Sequence, residues 1–210
     1  MTEGNPSQTT TVVALPGFTR GPQHLTRLVE ACRSAGYRAE AIGLAPRWLP
    51  VLYMSTAHLR GIADRIVATV QGPIVIVGHS AGAAAGTYLA SVLRERGADV
   101  RGLVYVDGVD SPNHLIRDHL GDLDGVRVAA VLAPPSPCNR EGALQHYLAD
   151  CPQVDVQVVA GAGHGDIEGA GLGIYRRACR DTSMPATADL VLATVLAEIG
   201  RCAGPTAVPR

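Results

Sequence analysis

The sequence predicts a single α/β domain, with about six mostly parallel strands and helices on both faces of the sheet. Three observations lead there. Short β-branched or apolar runs alternate with stretches of helical periodicity along nearly the whole chain. Glycine or proline stops most of these segments. One run, Ile74 to Val77, is apolar at every position, as a strand covered on both faces must be. The 210 residues suffice for one domain around one sizeable core, and neither a repeat nor a linker divides them. Residues 1–10 read as a polar, disordered leader, 11–203 as the folded domain and 204–210 as a flexible tail.

Taken in order, Thr10 to Leu15 is a β-branched apolar run that stops at Pro16-Gly17. Pro22 to Ala35 sets Leu25, Leu28, Val29 and Cys32 at helical spacing, and Gly36 supplies the stop. Tyr37 to Leu44 can form a second strand. Ser55 is an N-cap residue for a helix that carries Leu59, Ile62, Ile66, Val67 and Val70. The strand Ile74 to Val77 follows, bounded by Pro73 and Gly78. Ala81 to Arg96 reads as a helix stopped by Gly97. Strands are then expected at Arg101 to Val106, Val126 to Leu132 and Val154 to Ala160. A last helix lines up Leu190, Val191, Thr194, Val195 and Ile199.

Composition narrows the classes of function. The net charge of −1 gives no electrostatic case for nucleic acid or an anionic membrane surface. No stretch reaches the length of a membrane span, and no apolar run near Met1 could act as a signal peptide. The five cysteines are odd in number and lack metal spacing or a CxxC pair, and no metal or organic cofactor is expected because side chains alone can carry the chemistry read below. Cys32 and Cys202 fall within helical patterns as small core residues. Cys138 and Cys151 flank a short helical segment and could bridge, but reduced thiols and a cytoplasmic location are the simpler expectation.

The chemistry-bearing motif is Gly78-His79-Ser80-Ala81-Gly82, set between the strand at 74–77 and the helix at 81–96. A strand-turn-helix corner of this composition forces its serine into a strained backbone conformation and exposes the hydroxyl at the sheet edge. Bulk two residues to either side would meet neighbouring backbone, hence the two glycines. Ala83, Ala84, Ala85 and Gly86 let the helix lie close to the sheet, and its N-terminal end favours negative charge near Ser80. The turn points neighbouring side chains in different directions, so His79 reads as a supporting or packing residue rather than the base.

With this elbow, the Leu15-Pro16-Gly17-Phe18 segment and Gly161-Ala162-Gly163-His164, the chain resembles the α/β-hydrolase superfamily over residues 10–202. The resemblance implies a trimmed sheet that lacks the first two strands of the full family fold. It implies Ser80 as nucleophile and His164, on the loop after the last strand, as the base that takes and returns its proton. It also implies an oxyanion hole from the Ala81 and Phe18 N–H groups, although Pro16-Gly17 stands where the family often has His-Gly. The acid is harder to assign. The family often places it after the penultimate strand, where this chain has Ala133 to Glu141 with no aspartate. Asn139 or Glu141 would serve only with rearrangement. Asp107, at the end of the strand before, is favoured; Asp110 is its nearest rival, and Asp166 reads as a brace for its own loop.

Only Gly108 to Gly125 occupies the position where relatives insert a cap, so no large cap domain is expected. Pro46 to Met54 gathers Trp48, Leu49, Tyr53 and Met54 as an apolar wall, or as packing beneath a loop. Leu172 to Ala186 could be a second cover, and Arg176, Arg177 and Arg180 form a basic cluster that reads first as a solvated helix face. The function expected is serine hydrolysis of a small lipophilic ester, thioester or lactone, with an acyl carrier as a further partner. The alternatives are a biosynthetic acyltransferase, cyclase or lyase using the same Ser80, His164 and Asp107, or a binding protein on a hydrolase scaffold.

Overall fold

A computed structural model describes residues 9–46, 48–168, 177–180 and 184–204. The expected leader and tail fall almost wholly outside these residues, as do most of Leu172 to Ala186 and Arg176. Six strands form one sheet: β1 (Thr11–Leu15), β2 (Arg38–Ala41), β3 (Ile74–His79), β4 (Val100–Val106), β5 (Arg127–Leu132) and β6 (Val154–Val158). All neighbours pair in parallel, in the order β2-β1-β3-β4-β5-β6. The helices are α1 (Thr26–Ser34), α2 (Thr56–Thr69), α3 (Ala81–Glu95), α4 (Leu115–His119), α5 (Ala143–Leu148) and α6 (Pro185–Ala203).

The strands bury both faces because side chains alternate along them. On one face Val13, Leu15, Ile74, Ile76, Leu103 and Tyr105 pack with α2, α3, α4 and α5. On the other, Val12, Ala14, Val75, Val77, Val104 and Val106 pack with α1 and α6. The Tyr105 hydroxyl, buried in the first layer, pairs with Thr87 Oγ1 at 2.9 Å, so its burial leaves no unmet polar atom. Cys32 and Cys202 lie in the second layer, where burial pushes their thiols up to about 11 and about 12.

Some boundaries differ from the sequence expectation. The segment 22–35 divides into a 3-10 turn, Pro22–Leu25, and α1. The second strand ends at Ala41 rather than Leu44, because β2 is an edge strand whose one partner, β1, ends at Leu15. Gly108 to Gly125 supplies only α4 and a 3-10 turn, Leu120–Leu123, and builds no cap.

The cysteine expectation is corrected. Cys138 is bonded to Cys179, across 41 residues, while Cys151 is free and buried at the end of α5. Cys151 is turned towards the carbonyl of Tyr147, one helical turn back, which removes it from Cys138. A disulfide suits an oxidising compartment, so the expectation of reduced thiols at Cys138 does not hold and lends the cytoplasmic expectation no support. Among the described residues no helix is long and apolar enough to cross a membrane.

The topology itself selects a position for chemistry. The chain leaves β1 for β2 on one side and returns to β3 on the other, so the carboxyl ends of β1 and β3 border a switch point. Open parallel sheets bind their ligands at such a crevice. Phe18 follows β1 and Ser80 follows β3.

Candidate active site

At the end of β3 the chain turns sharply into α3 through Ser80, whose backbone sits at φ 53°, ψ −123°. A non-glycine residue in this region is strained, and the surroundings hold it there. Ser80 N–H donates to Val106 O (3.1 Å), and Ser80 O accepts from Ala83 and Val109 N–H, both at 3.0 Å. A Cβ on Gly78 would lie 2.5 Å from Gly82 O, and one on Gly82 would strike the carbonyls of Leu15 and Pro16. Both glycines are therefore demanded by close backbone approach. Gly86 is likewise tight against Ile76, Leu15 and Leu103, so the small residues of α3 seat the helix on the sheet.

His164 follows β6 on the Gly161–Gly165 loop, and its ring spans two partners. Its Nε2 lies 2.9 Å from Ser80 Oγ and its Nδ1 lies 2.5 Å from Asp107 Oδ2. A carboxylate can only accept, so Nδ1 carries the hydrogen and Nε2 is left to accept the serine hydroxyl. The structure thus brings together Ser80, His164 and Asp107 in one hydrogen-bonded line.

Asp107 sits just past β4 at φ 41°, a second strained residue at this edge. Its Oδ1 accepts from Ala133 N–H (3.0 Å) and Asn139 Nδ2 (3.1 Å), and its Oδ2, also 3.4 Å from Asn139 Nδ2, meets the histidine. Asn139, on the turn after β5, is thus a donor to the carboxylate. Ser136 and Gly142 N–H groups fix its own Oδ1, so its amide presents nitrogen to Asp107. The sequence motif could not show this; it required knowing that the turns after β4 and β5 meet. Asp110 is engaged elsewhere: its Oδ1 accepts from Ser111 and Ile116 N–H at the start of α4. Glu141 is exposed, and Asp166 Oδ2 accepts from Gly163 N–H within the His164 loop.

Ala81 begins α3 directly after Ser80, so its N–H has no acceptor within the helix. The loop after β1 lies directly against Ser80. A Cβ on Gly17 would stand 3.0 Å from Ser80 Cβ and 3.4 Å from its Oγ. Phe18, next in sequence, is 48% exposed, and its ring meets Tyr53 edge-on at 5.6 Å. Of the expected apolar wall, Tyr53 is buried and Met54 packs against the core, whereas Trp48 is 81% exposed. Leu49 is half-buried at the head of a 3-10 turn, Pro50–Met54, that Asn113 fastens through Met54 O. Among the described residues no cluster of His, Cys, Asp or Glu could hold a metal ion.

A parallel sheet with a strained serine between its third strand and a helix, and a histidine on the loop after its last strand, is the α/β-hydrolase fold. Solved structures agree with that assignment. The chain is similar to a pyrethroid hydrolase from Sphingobium faniae, at 16% identity over 91% of this chain and 99% of that one, TM-score 0.57. It is similar to tomato methylketone synthase I in complex with 2-tridecanone, at 12% identity over 91% and 98%, TM-score 0.62. It is also similar to a thioesterase domain from the nocardicin cluster, at 17% identity over 91% and 95%, TM-score 0.54. No protein-family model matches the sequence, and neither does any curated protein.

Proposed function

We propose that this chain is a serine hydrolase that cleaves a lipophilic carboxylic ester or thioester through an acyl-enzyme at Ser80. The observation that carries the reading is the unbroken line from Ser80 Oγ through His164 to Asp107, with contacts of 2.9 and 2.5 Å. His164 Nε2 takes the Ser80 proton as Oγ attacks the substrate carbonyl. Negative charge on the carbonyl oxygen is met by the Phe18 and Ala81 N–H groups and by the N-terminal end of α3. The imidazolium, stabilised by Asp107, then gives its proton to the departing alkoxide or thiolate. Water repeats the sequence on the acyl-serine and releases the acid. Phe18, Tyr53, Met54, Leu49 and Trp48 supply the apolar side of the substrate site, which favours an acyl chain or ring over a small polar group.

Redirected chemistry on the same three residues is the second reading. It is favoured by the similarity to a methylketone synthase, a structural neighbour not named as a hydrolase. The test is turnover of p-nitrophenyl acyl esters and acyl N-acetylcysteamine thioesters of increasing chain length, with free acid quantified. Hydrolysis that rises with chain length and disappears in Ser80→Ala supports the proposal. Absence of free acid from every substrate, or hydrolysis that survives Ser80→Ala, rejects it.

A further inference from the structure

A second buried polar chain meets the main chain of His164 next to Ser80. Arg20, on the loop after β1, donates through Nε to Glu168 Oε2 at 2.8 Å, with Nη2 on the same oxygen. Glu168, two residues past Asp166 on the same turn, faces His79 Nδ1 through Oε1 at 3.1 Å. His79 Nε2 lies 2.8 Å from the main-chain oxygen of His164. Both the His79 and Glu168 side chains are only 4% exposed. Burial alone would raise the Glu168 carboxyl. The close His79 ring, then the Arg20 guanidinium, outweigh that and hold it down at about 2.

The His164 loop needs such a tie. Its residues from Gly161 to Gly165 include three glycines, and its backbone bonds are short-range: Ala162 N–H to Val159 O, Asp166 N–H to Gly163 O, Glu168 N–H to Gly165 O. His79 adds a bond from the sheet, because it is the last residue of β3 and immediately precedes Ser80. The carbonyl it meets can only accept, so Nε2 donates, while Glu168 Oε1 stands 3.1 Å from Nδ1 at the opposite edge of the ring. One imidazole therefore sets the spacing between the strand that ends at the nucleophile and the loop that carries the base. The two histidine rings stand 5.0 Å apart.

We propose that His79 and Glu168 are a positioning pair that holds His164 at its reacting distance from Ser80. This role rests on the reading of Ser80 and His164 given above. A base displaced by about 1 Å loses on the order of 100-fold in rate, which is the scale of effect expected.

The test compares wild type, Glu168→Gln, His79→Gln and the double variant, each shown to be folded by circular dichroism. The readouts are kcat and KM on a p-nitrophenyl ester and the rate of reaction with a fluorophosphonate. In His79→Gln the new amide can still donate to His164 O, but its oxygen then faces the Glu168 carboxylate. Adding Glu168→Gln supplies a donor there. We expect His79→Gln to lower kcat and the labelling rate together at unchanged KM, and the double variant to regain at least about tenfold of that loss. Single variants that keep kcat within about twofold overturn the pair, as does a loss confined to KM or a double variant no better than His79→Gln. If wild type itself neither turns over nor labels, the reading of the site falls and the pair with it. If wild type reacts and the variants match it, the pair alone is overturned.

Discussion

His164 Nδ1 lies 2.5 Å from Asp107 Oδ2, whereas Asp110, three residues further on, spends its Oδ1 on the amides of Ser111 and Ile116. The carboxylate that meets the histidine therefore leaves the sheet at β4, and the turn after β5 contributes Asn139 as its donor. Asp107→Asn should lower kcat by about 10,000-fold, since an amide permits the wrong histidine tautomer. Asp110→Asn should stay within a few-fold of wild type. Steady-state hydrolysis of an activated ester by the two variants decides between them, and a larger loss in Asp110→Asn would reverse the assignment.

Gly17 offers a test of the proposed oxyanion hole. Its missing side chain leaves room for Ser80, and a methyl there would stand 3.0 Å from Ser80 Cβ. Gly17→Ala should cut kcat by about 10- to 100-fold, because the loop or the serine must shift. Thermal unfolding, followed alongside, should change little; an unaltered kcat would show that the loop lies off the reaction path.

Glu168 makes stability depend on acid. Its carboxyl is held at about 2 in the fold, against an ordinary 4.5. A carboxyl depressed in the folded state stabilises above its unfolded value, and the gain is lost as pH falls from about 4.5 through about 2. The contribution is at most about 3 kcal/mol at neutral pH. Urea unfolding of wild type and Glu168→Gln should therefore differ at pH 6 and converge towards pH 2.5. A difference that does not change with pH would contradict this account.

The Cys138–Cys179 bond closes a long loop of sequence and anchors the turn that presents Asn139 to Asp107. A cross-link of this span contributes about 2–4 kcal/mol. Cys138→Ser should lower the unfolding midpoint accordingly, and it should lower kcat as Asn139 loses its anchor. Alkylation of unfolded, unreduced protein followed by peptide mass mapping should modify Cys32, Cys151 and Cys202 alone. Modification of Cys138 and Cys179 in that experiment would refute the bond.

What the sequence could reveal follows from the range of the interactions involved. The parallel sheet is local in origin: apolar runs of strand length alternate with helical faces, and Gly78 and Gly82 mark a corner whose reason is steric and nearby. The position of His164 after the last strand is equally visible. The partner of Cys138 is not, because Cys179 meets it only through tertiary folding, while Cys151 lies nearer in sequence and is drawn into the core. Nor is the Arg20–Glu168–His79 chain, whose members come from three separate loop and strand ends. Asn139 was visible as a polar residue near the edge, but its service to Asp107 depends on two turns meeting in space.

The central claim is that Ser80 is a nucleophile activated by His164. Its most direct test is intact-mass analysis after incubation with a fluorophosphonate, followed by peptide mapping of the adduct. One adduct per chain is expected, on Ser80, formed quickly by wild type and slowed by at least about 1,000-fold in His164→Ala. No adduct on folded wild-type protein, or an adduct on a residue other than Ser80, would contradict it.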